Sequence, residues 1–243
     1  MTGTSTESSK LIVMFKSLEK ADLKSMHKAS FTIIVPFREQ AEQKRGEHLN
    51  KFLKHFEKIG YPVLVVEQEE GKKFNRGMLL NIGADLADSE YVVFHDVDLL
   101  PKKVILPYYE VFPDSPVHIG KAWRTKYDNE GFLGGVISIS QADLKSINGF
   151  PNNFWGWGGE DDAMRVRMKR RNMTILQPTV TEGYTELKHI DTKLIPGVKN
   201  MEKWEGMDLE RAGKNKSGLS NLKYKIIKKE SYSDNAMKVT VEI

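Results

Sequence analysis

The residues best suited to chemistry in this sequence lie in one stretch, residues 148–172, which reads NGFPNNFWGWGGEDDAMRVRMKRRN. Three consecutive acids, Glu160, Asp161 and Asp162, follow a loop that carries two tryptophans and two adjacent glycines. Glycines let a backbone approach a flat polar ligand closely, and large aromatic side chains beside them are typical of a binding surface. A helix-like run follows over residues 163–171, so the acids fall in its first turn, where the helix dipole favours negative charge. A capped surface helix would explain the acids alone, but the tryptophans favour a ligand site.

Two further groups of polar residues suit a divalent cation. Asp96 and Asp98 are two residues apart and can hold such a cation together with a nucleotide diphosphate. Asp-x-Asp is also common in solvated turns, so the pair alone is a weak signal. His189 lies between Glu186 and Asp191, and an imidazole beside a carboxylate suits Mn²⁺ or a similar ion.

Arginines beside aromatic residues form the last group, in the strings Pro36-Phe37-Arg38 and Phe74-Asn75-Arg76. An arginine just beyond a parallel strand can pair with a phosphate through two hydrogen bonds, and the aromatic ring can stack on a base. Ordinary surface arginines are the alternative for each string taken separately.

The elements that must position these residues alternate between strand and helix. The hydrophobic pattern predicts buried strands over 31–35, 63–66 and 91–94, and helices over 45–59 and 77–87. Such alternation indicates parallel βαβ units, whose ligands bind beyond the carboxyl ends of the strands. Asp96 and Asp98 follow the 91–94 strand and therefore fall at that edge.

The hydrophobic pattern is weaker in the rest of the chain. Further strands are expected over 117–120, 134–140, 173–177, 224–227 and 239–243, with a short helix over 141–147. Residues 1–28 are expected to be a leader, disordered over 1–9 and with a short helix over 11–27. Residues 191–220 carry few apolar side chains and are predicted to be a mobile loop or lid. No linker divides residues 29–243, so we expect one catalytic domain there.

Composition narrows the protein class. The chain has 243 residues, of which 40% are hydrophobic, and it has no cysteine. Disulfides, zinc–thiolate sites and cysteine nucleophiles are therefore excluded. No apolar run approaches the ~20 residues that span a bilayer, so no stable membrane insertion is expected. The net charge of +4 suits an anionic partner, but no basic stripe with interleaved aromatics predicts nucleic-acid binding.

Seven motifs, occurring in the same order, resemble the animal β-1,4-galactosyltransferase family. They are PFRE from Pro36, RGEHL from Arg45, FNRGMLLNIG from Phe74, HDVDLLP from His95, GGVISIS from Gly134, NGFPNNFWGWGGEDD from Asn148 and KHID from Lys188. The resemblance covers residues 31–190 and implies an α/β fold of the GT-A nucleotide-sugar transferase type, with a mainly parallel central sheet and helices on both faces. It also implies an inverting, Mn²⁺-dependent enzyme, with Mg²⁺ as a substitute. Such an enzyme would move galactose or N-acetylgalactosamine from UDP-galactose or UDP-GalNAc to a saccharide or glycan acceptor in a β-1,4 linkage.

Carried over position by position, the resemblance implies three groups of site residues. Those implied to bind the donor are Pro36, Phe37, Arg38, Phe74, Arg76, Asp96, Val97, Asp98, Lys121, Gly135 and Trp157. Those implied to bind the acceptor are Phe132, Trp157, Gly159, Glu160, Asp161 and Asp162, with Asp161 as general base and Trp157 as the aromatic of the lid. The implied metal ligands are Asp98, His189 and Asp191, with Glu186 as the alternative to Asp191.

Two positions depart from the family pattern. The family has its third metal ligand three residues before the histidine or two after it, where this chain has Glu186 and Asp191. Asp191 is preferred because the xylosylprotein galactosyltransferase branch, which builds the proteoglycan linkage, uses the second spacing. Phe132 stands where many members have a tyrosine that helps to select galactose, so the donor sugar stays open. The missing cysteines and anchor of Golgi members favour a soluble, cytoplasmic relative from a bacterium or virus.

Two other functions fit parts of the pattern. A non-catalytic carbohydrate-binding module would need the Trp-Gly loop but neither the Asp96–Asp98 pair nor His189. A retaining or phosphoryl-transfer enzyme on the same fold would use the aspartate pair with a different second site. The acceptor stays open among xylose, glucose, N-acetylglucosamine and a glycosaminoglycan chain end, because acceptor loops vary most within such folds.

Overall fold

The computed structural model describes residues 14–123 and 131–243. Within these ranges the strands are β1 Met14–Leu18, β2 Phe31–Phe37, β3 Val63–Gln68, β4 Tyr91–His95, β5 Leu99–Pro101, β6 Val136–Ser140, β7 Thr174–Pro178, β8 Tyr184–Glu186, β9 Lys225–Ser233 and β10 Ala236–Glu242. The α-helices are α1 Arg45–Ile59, α2 Arg76–Leu86, α3 Gln141–Ser146, α4 Glu160–Arg170 and α5 Lys203–Arg211. Short 3-10 helices cover Asp22–Lys24, Ala41–Gln43, Leu106–Tyr108, Ile119–Ala122, Thr192–Leu194 and Leu219–Asn221.

The central sheet has the strand order β6-β4-β2-β3-β10-β9. Strands β4, β2, β3 and β10 are parallel, and the two edge strands β6 and β9 are antiparallel to their neighbours. Two small sheets, β1-β7 and β5-β8, lie outside it. The predicted α/β fold with a mainly parallel sheet is therefore confirmed.

Apolar side chains pack on both faces of this sheet because alternate residues of a strand point to opposite sides. Ile33 of β2 belongs to one core cluster together with Phe52 of α1, whereas Ile34 belongs to a second cluster with Leu79 of α2. All four are fully buried. Helices therefore cover both faces, and the carboxyl ends of β2, β3 and β4 open at one edge.

Two sequence predictions of local structure are wrong. The helix expected over 11–27 is not formed in its described part: Met14–Leu18 are strand β1, which pairs with β7 (Phe15 opposite Ile175), and Asp22–Lys24 form only a single 3-10 turn. The strand expected over 117–120 is reduced to single bridges at Val117, followed by the 3-10 helix Ile119–Ala122. Residues 1–13 lie outside the described ranges. The division of the chain at residue 28 stays a prediction, although β1 pairs across it.

The segment 191–220 is not the continuous loop that its composition predicted, because it contains helix α5. This helix is held by Met207, which packs near Phe154, and by an ion pair between buried Arg167 and Glu210. Because an ion pair rather than a row of apolar side chains fixes this helix, the sequence shows no apolar periodicity that would predict it. No helix in the described ranges has the length and apolar character needed to cross a membrane.

Candidate active site

A cleft of about 490 Å³ lies at the carboxyl edge of the central sheet, where the loops after β2, β3 and β4 meet the start of α4. It collects nearly all of the residues selected from the sequence. These are Pro36, Phe37, Arg38, Phe74, Arg76, Asp96, Val97, Asp98, Phe132, Gly135, Trp157, Gly159, Glu160, Asp161, Asp162, His189 and Asp191. The other two, Lys121 and Glu186, are described by the structure but do not line the cleft.

Arg76 connects two of the acidic motifs. It is the first residue of α2, whose N-cap Asn75 accepts a hydrogen bond from the Met78 amide at 3.0 Å. Its Nε and Nη2 donate to Asp96 Oδ1 at 3.0 and 2.8 Å, and its Nη1 donates to Asp161 Oδ1 at 2.8 Å. One buried guanidinium thus fixes the loop after β4 against the first turn of α4.

The carboxylates around Arg76 do not share one electrostatic environment. Burial and the charge of Asp161 raise the pKa of Glu160 to about 7. Arg76, whose Nη1 lies 3.6 Å from Glu160 Oε1, acts in the opposite direction and lowers it. Burial also raises the pKa of Asp96, although Arg76 opposes it. Asp161 Oδ2 faces Gly134, where an added Cβ would lie 2.8 Å from that oxygen. Asp161 therefore has one oxygen bound by Arg76 and a second that faces Gly134.

Asp98 and His189 form a second polar centre. His189 Nε2 lies 2.7 Å from Asp98 Oδ2, and Arg45 Nη1 donates to the same oxygen at 2.9 Å. Burial alone would raise the pKa of Asp98, but the hydrogen bonds from His189 and Arg45 hold it well below its usual range. The hydrogen bond to Asp98 raises the pKa of His189. His189 Nδ1 lies 2.7 Å from the Ile190 carbonyl oxygen and can donate to it, so Nε2 would become a metal ligand once it loses the proton that it donates to Asp98.

The residue types of this centre fit a divalent cation. A carboxylate oxygen and an imidazole nitrogen face each other, which suits Mn²⁺. Asp191 lines the same cleft, but its Oδ1 accepts a hydrogen bond from the Lys193 amide at 3.0 Å. Within residues 14–123 and 131–243 no three His, Asp or Glu side chains are already gathered for a metal. Glu186 pairs with Leu99 in the β5-β8 ladder, outside the cleft.

Trp157 closes one side of the cleft and is tied to the segment that follows His189. Its amide donates to the Val198 carbonyl at 2.7 Å, its side chain is 42% exposed, and Lys193 Nζ lies 5.3 Å from its ring centroid. Gly156 has φ +89°, and a Cβ there would lie 2.6 Å from the Val198 carbonyl oxygen. The glycine before Trp157 is therefore required by the approach of two backbones.

The region around Phe132 forms the opposite wall. Phe132 packs edge-on against His118 with ring centroids 5.7 Å apart, and the Gly135 carbonyl accepts a hydrogen bond from the Asp96 amide at 3.0 Å. Lys121, expected at the donor, lies instead on the 3-10 helix Ile119–Ala122. This helix packs with Gly120 beneath the Gly134 carbonyl, where a Cβ would lie 2.7 Å from that oxygen. Lys121 is therefore not among the residues that line the cleft, and its contact with the donor stays a prediction.

Several residues of the cleft were not selected from the sequence. Arg45 begins the RGEHL motif of the resemblance and the predicted helix over 45–59, but it was not among the implied site residues. Gln43, Lys73, Arg165, Lys193 and Lys203 also line the cleft, and no sequence signal distinguished them from surface residues. Trp155, by contrast, packs near Lys72 Nζ at 5.6 Å and does not line the cleft.

The arrangement agrees with solved structures of sugar-transferring enzymes. A mutant of Drosophila β-1,4-galactosyltransferase 7, in complex with manganese, UDP-Gal and xylobiose, superposes with a TM-score of 0.73. It is 27% identical, and the match covers 88% of this chain and 93% of that one. The mixed sheet and the acidic cleft at its carboxyl edge thus define a glycosyltransferase of the GT-A fold.

Sequence comparison gives the family. A model of the N-terminal region of glycosyl transferase group 7 matches residues 7–109, and a model of the N-terminal domain of galactosyltransferase matches residues 115–190. The Caenorhabditis elegans xylosylprotein 4-β-galactosyltransferase is 32% identical over a 232-residue alignment, and the match covers 89% of this chain and 78% of that protein. Drosophila melanogaster β-1,4-galactosyltransferase 7 is 31% identical over 224 residues, covering 89% and 69%. The chain belongs to the β-1,4-galactosyltransferase family.

These comparisons also bear on two finer expectations. The similarity to the xylosylprotein galactosyltransferase branch, inferred from the spacing of His189 and Asp191, is confirmed. Both relatives are animal proteins, so they do not support the expectation of a bacterial or viral source.

Proposed function

We propose that the chain is an inverting galactosyltransferase that moves galactose, or N-acetylgalactosamine, from a UDP-sugar to a hydroxyl of a sugar acceptor in a β-1,4 linkage. The observation that carries this proposal is the guanidinium of Arg76, which holds Asp96 and Asp161 in one cleft with the Asp98–His189 pair. The named activities of the relatives, and the manganese and UDP-Gal bound to the Drosophila enzyme, support the donor and the metal.

The donor would lie along the loops after β2 and β3. The Arg38 guanidinium is 5.5 Å from the centroid of the Phe74 ring, and both residues line the cleft with Pro36 and Phe37. An aromatic face beside a fixed guanidinium suits a planar base followed by phosphates. These residues would therefore hold the uridine and direct the diphosphate towards Asp98.

Asp98 and His189 would hold the metal, with Asp191 as the third ligand. Asp191 is favoured over Glu186 because it lines the cleft, and a change of its side-chain rotamer would release it from the Lys193 amide. Arg45 would orient Asp98 through its hydrogen bond, and Gln43 donates to the Ile190 carbonyl, which also accepts from His189 Nδ1. Mn²⁺, or Mg²⁺ in its place, supplies a positive charge that offsets the charge developing on the leaving diphosphate.

Asp161 would be the general base. Arg76 binds its Oδ1 and leaves Oδ2 to accept the proton of the acceptor hydroxyl. The acceptor oxygen would attack the anomeric carbon from the face opposite UDP, forming the new C–O bond as the bond to UDP breaks. UDP leaves with the electron pair, and the configuration at the anomeric carbon inverts. Asp162, whose side chain is 44% exposed, would bind the acceptor at the mouth.

Trp157 and residues 191–206 would form a lid over the donor. The hydrogen bond between the Trp157 amide and the Val198 carbonyl links the two parts, so they would move together. Excluding water protects the donor from hydrolysis.

The proposal is tested by measuring UDP release with Mn²⁺ and each of UDP-Gal and UDP-GalNAc, with methyl β-xyloside, β-glucoside or β-N-acetylglucosaminide as acceptor. Asp161→Asn should lower transfer by roughly 10²–10⁴-fold while sparing UDP binding. Asp208→Asn is the matched control, because Asp208 is an exposed aspartate of α5 outside the cleft. Substantial turnover by Asp161→Asn would refute the assignment of the base. Sugar binding without UDP release from either donor would instead favour a carbohydrate-binding module.

A further inference from the structure

Arg165 lies on α4 one turn after Asp161 and lines the cleft with its side chain 34% exposed. Asp162 Oδ1 is 3.8 Å from Nη2 of Arg165, which is too long for a hydrogen bond. Its Nε is buried without a hydrogen-bond partner among the residues that the structure describes. A guanidinium carries five N–H donors, and because Nε is buried it is the exposed Nη1 and Nη2 groups that can donate to a ligand in the cleft.

Lys203 stands beside it at the start of α5. Its Nζ lies 3.3 Å from Asp162 Oδ2, and its side chain is 29% exposed. The stem of Lys203 leans over Gly159, where a Cβ would lie 3.1 Å from the lysine Cγ. The lysine therefore reaches into the cleft from the segment that also bears the lid.

Charge on this wall is not balanced. Asp162 is flanked by two cations, Arg165 and Lys203, and can offset one of them. The next carboxylates along the helix, Glu160 and Asp161, face Arg76 instead. Among residues 14–123 and 131–243, the wall where the acceptor would bind therefore has more positive than negative charge.

We propose that the acceptor is an anionic saccharide, whose carboxylate or phosphate is bound by Arg165 and Lys203 next to the attacking hydroxyl. This inference rests on the proposed function, whose acceptor class it specifies. A planar guanidinium matches two oxygens of a carboxylate or phosphate, and a neighbouring ammonium adds a point charge. Asp162 remains available to accept a hydrogen bond from an acceptor hydroxyl.

The competing explanation is that both cations only hold Asp162 in place. In that case an oxyanion on the acceptor would gain nothing from Arg165. Neutral and anionic sugars on the same scaffold would then bind equally. The two explanations differ in a binding constant and do not require turnover.

The test is calorimetric binding of three sugars to the protein saturated with Mn²⁺ and UDP: methyl β-glucoside, methyl β-glucuronide and methyl β-glucoside 6-phosphate. We expect one or both anionic sugars to bind at least tenfold more tightly than the glucoside, and the better of the two identifies the oxyanion. Arg165→Gln and Lys203→Gln should each remove most of this preference. Arg211→Gln should keep it, because Arg211 makes the same type of helical pair, with Asp208, outside the cleft.

Equal binding of the three sugars by the unaltered protein, or an anion preference that survives both substitutions, would overturn the inference. Failure of the proposed function has a different signature. If the proposed function is wrong, no donor and acceptor pair will give UDP release, whether or not the protein binds anionic sugars more tightly than neutral ones.

Discussion

Replacing Glu210 by glutamine should release helix α5 from the rest of the protein. The Glu210 side chain is fully buried, and that of Arg167 is 5% exposed. Arg167 Nη2 and Nε donate to Glu210 Oε1 at 2.6 and 3.1 Å. Glutamine preserves the shape but removes the negative charge, so Arg167 is left buried without its counter-ion.

The expected loss in the free energy of unfolding is about 3–5 kcal/mol, the usual cost of removing one partner of a buried ion pair. Arg170 cannot compensate, because it is a second cation at 3.9 Å from Glu210 Oε2. An exposed pair contributes only about 0–1 kcal/mol. Asp208→Asn, which breaks the exposed pair with Arg211, is therefore the control.

Urea unfolding at pH 7 measures both variants against the unaltered chain. A second variant, Arg167→Met, should lose at least as much as Glu210→Gln, because it leaves Glu210 buried without its cation and also removes the hydrogen bonds that Arg167 donates to the carbonyls of Asn148, Gly149 and Ser217. If Glu210→Gln lost less than about 1 kcal/mol, no more than a surface pair, the reasoning that this pair anchors α5 would be refuted.

Three other substitutions test the cleft. Because the folded-state pKa of Glu160 is raised to about 7, the contribution of Glu160 to stability should be fully present below its ordinary value of 4.5 and be lost as the pH rises through about 7. Glu160→Gln should remove that loss of roughly 3 kcal/mol, measured by urea unfolding in a chelator, and parallel pH curves for both proteins would contradict this. Asp98→Ala should abolish Mn²⁺ binding measured by calorimetry, and an unchanged affinity would count against its role as a ligand. Gly156→Ala places a Cβ 2.6 Å from the Val198 carbonyl oxygen. The resulting displacement of Trp157 should lower kcat/KM by roughly 10²-fold. An unaltered kcat/KM would show that this contact does not position the lid.

The elements that local sequence determines were predicted well. Helix α1 runs from Arg45 to Ile59 as predicted, because its apolar period and the stop at Gly60, with φ +82°, are both local signals. Strand β1 was missed because its partner β7 lies far along the chain. Short ladders such as β5-β8 likewise depend on tertiary pairing.

The same distinction applies to the cleft. Residues within one motif, such as Asp161, could be selected because the motif carries them together. Contacts across the chain could not: Arg45 and Asp98 are 53 residues apart, and Gln43 and His189 are 146 apart. Only the fold brings these side chains together, and no pattern in the sequence pairs them.

The most direct test of the central claim is the stereochemistry of the product. Proton NMR of the disaccharide formed from UDP-Gal, Mn²⁺ and an accepted sugar reports the anomeric configuration. We expect a β-linked product, inverted from the α-linked donor, and its formation should be lost in Asp161→Asn. An α-linked product would show a retaining enzyme and contradict the in-line displacement assisted by Asp161.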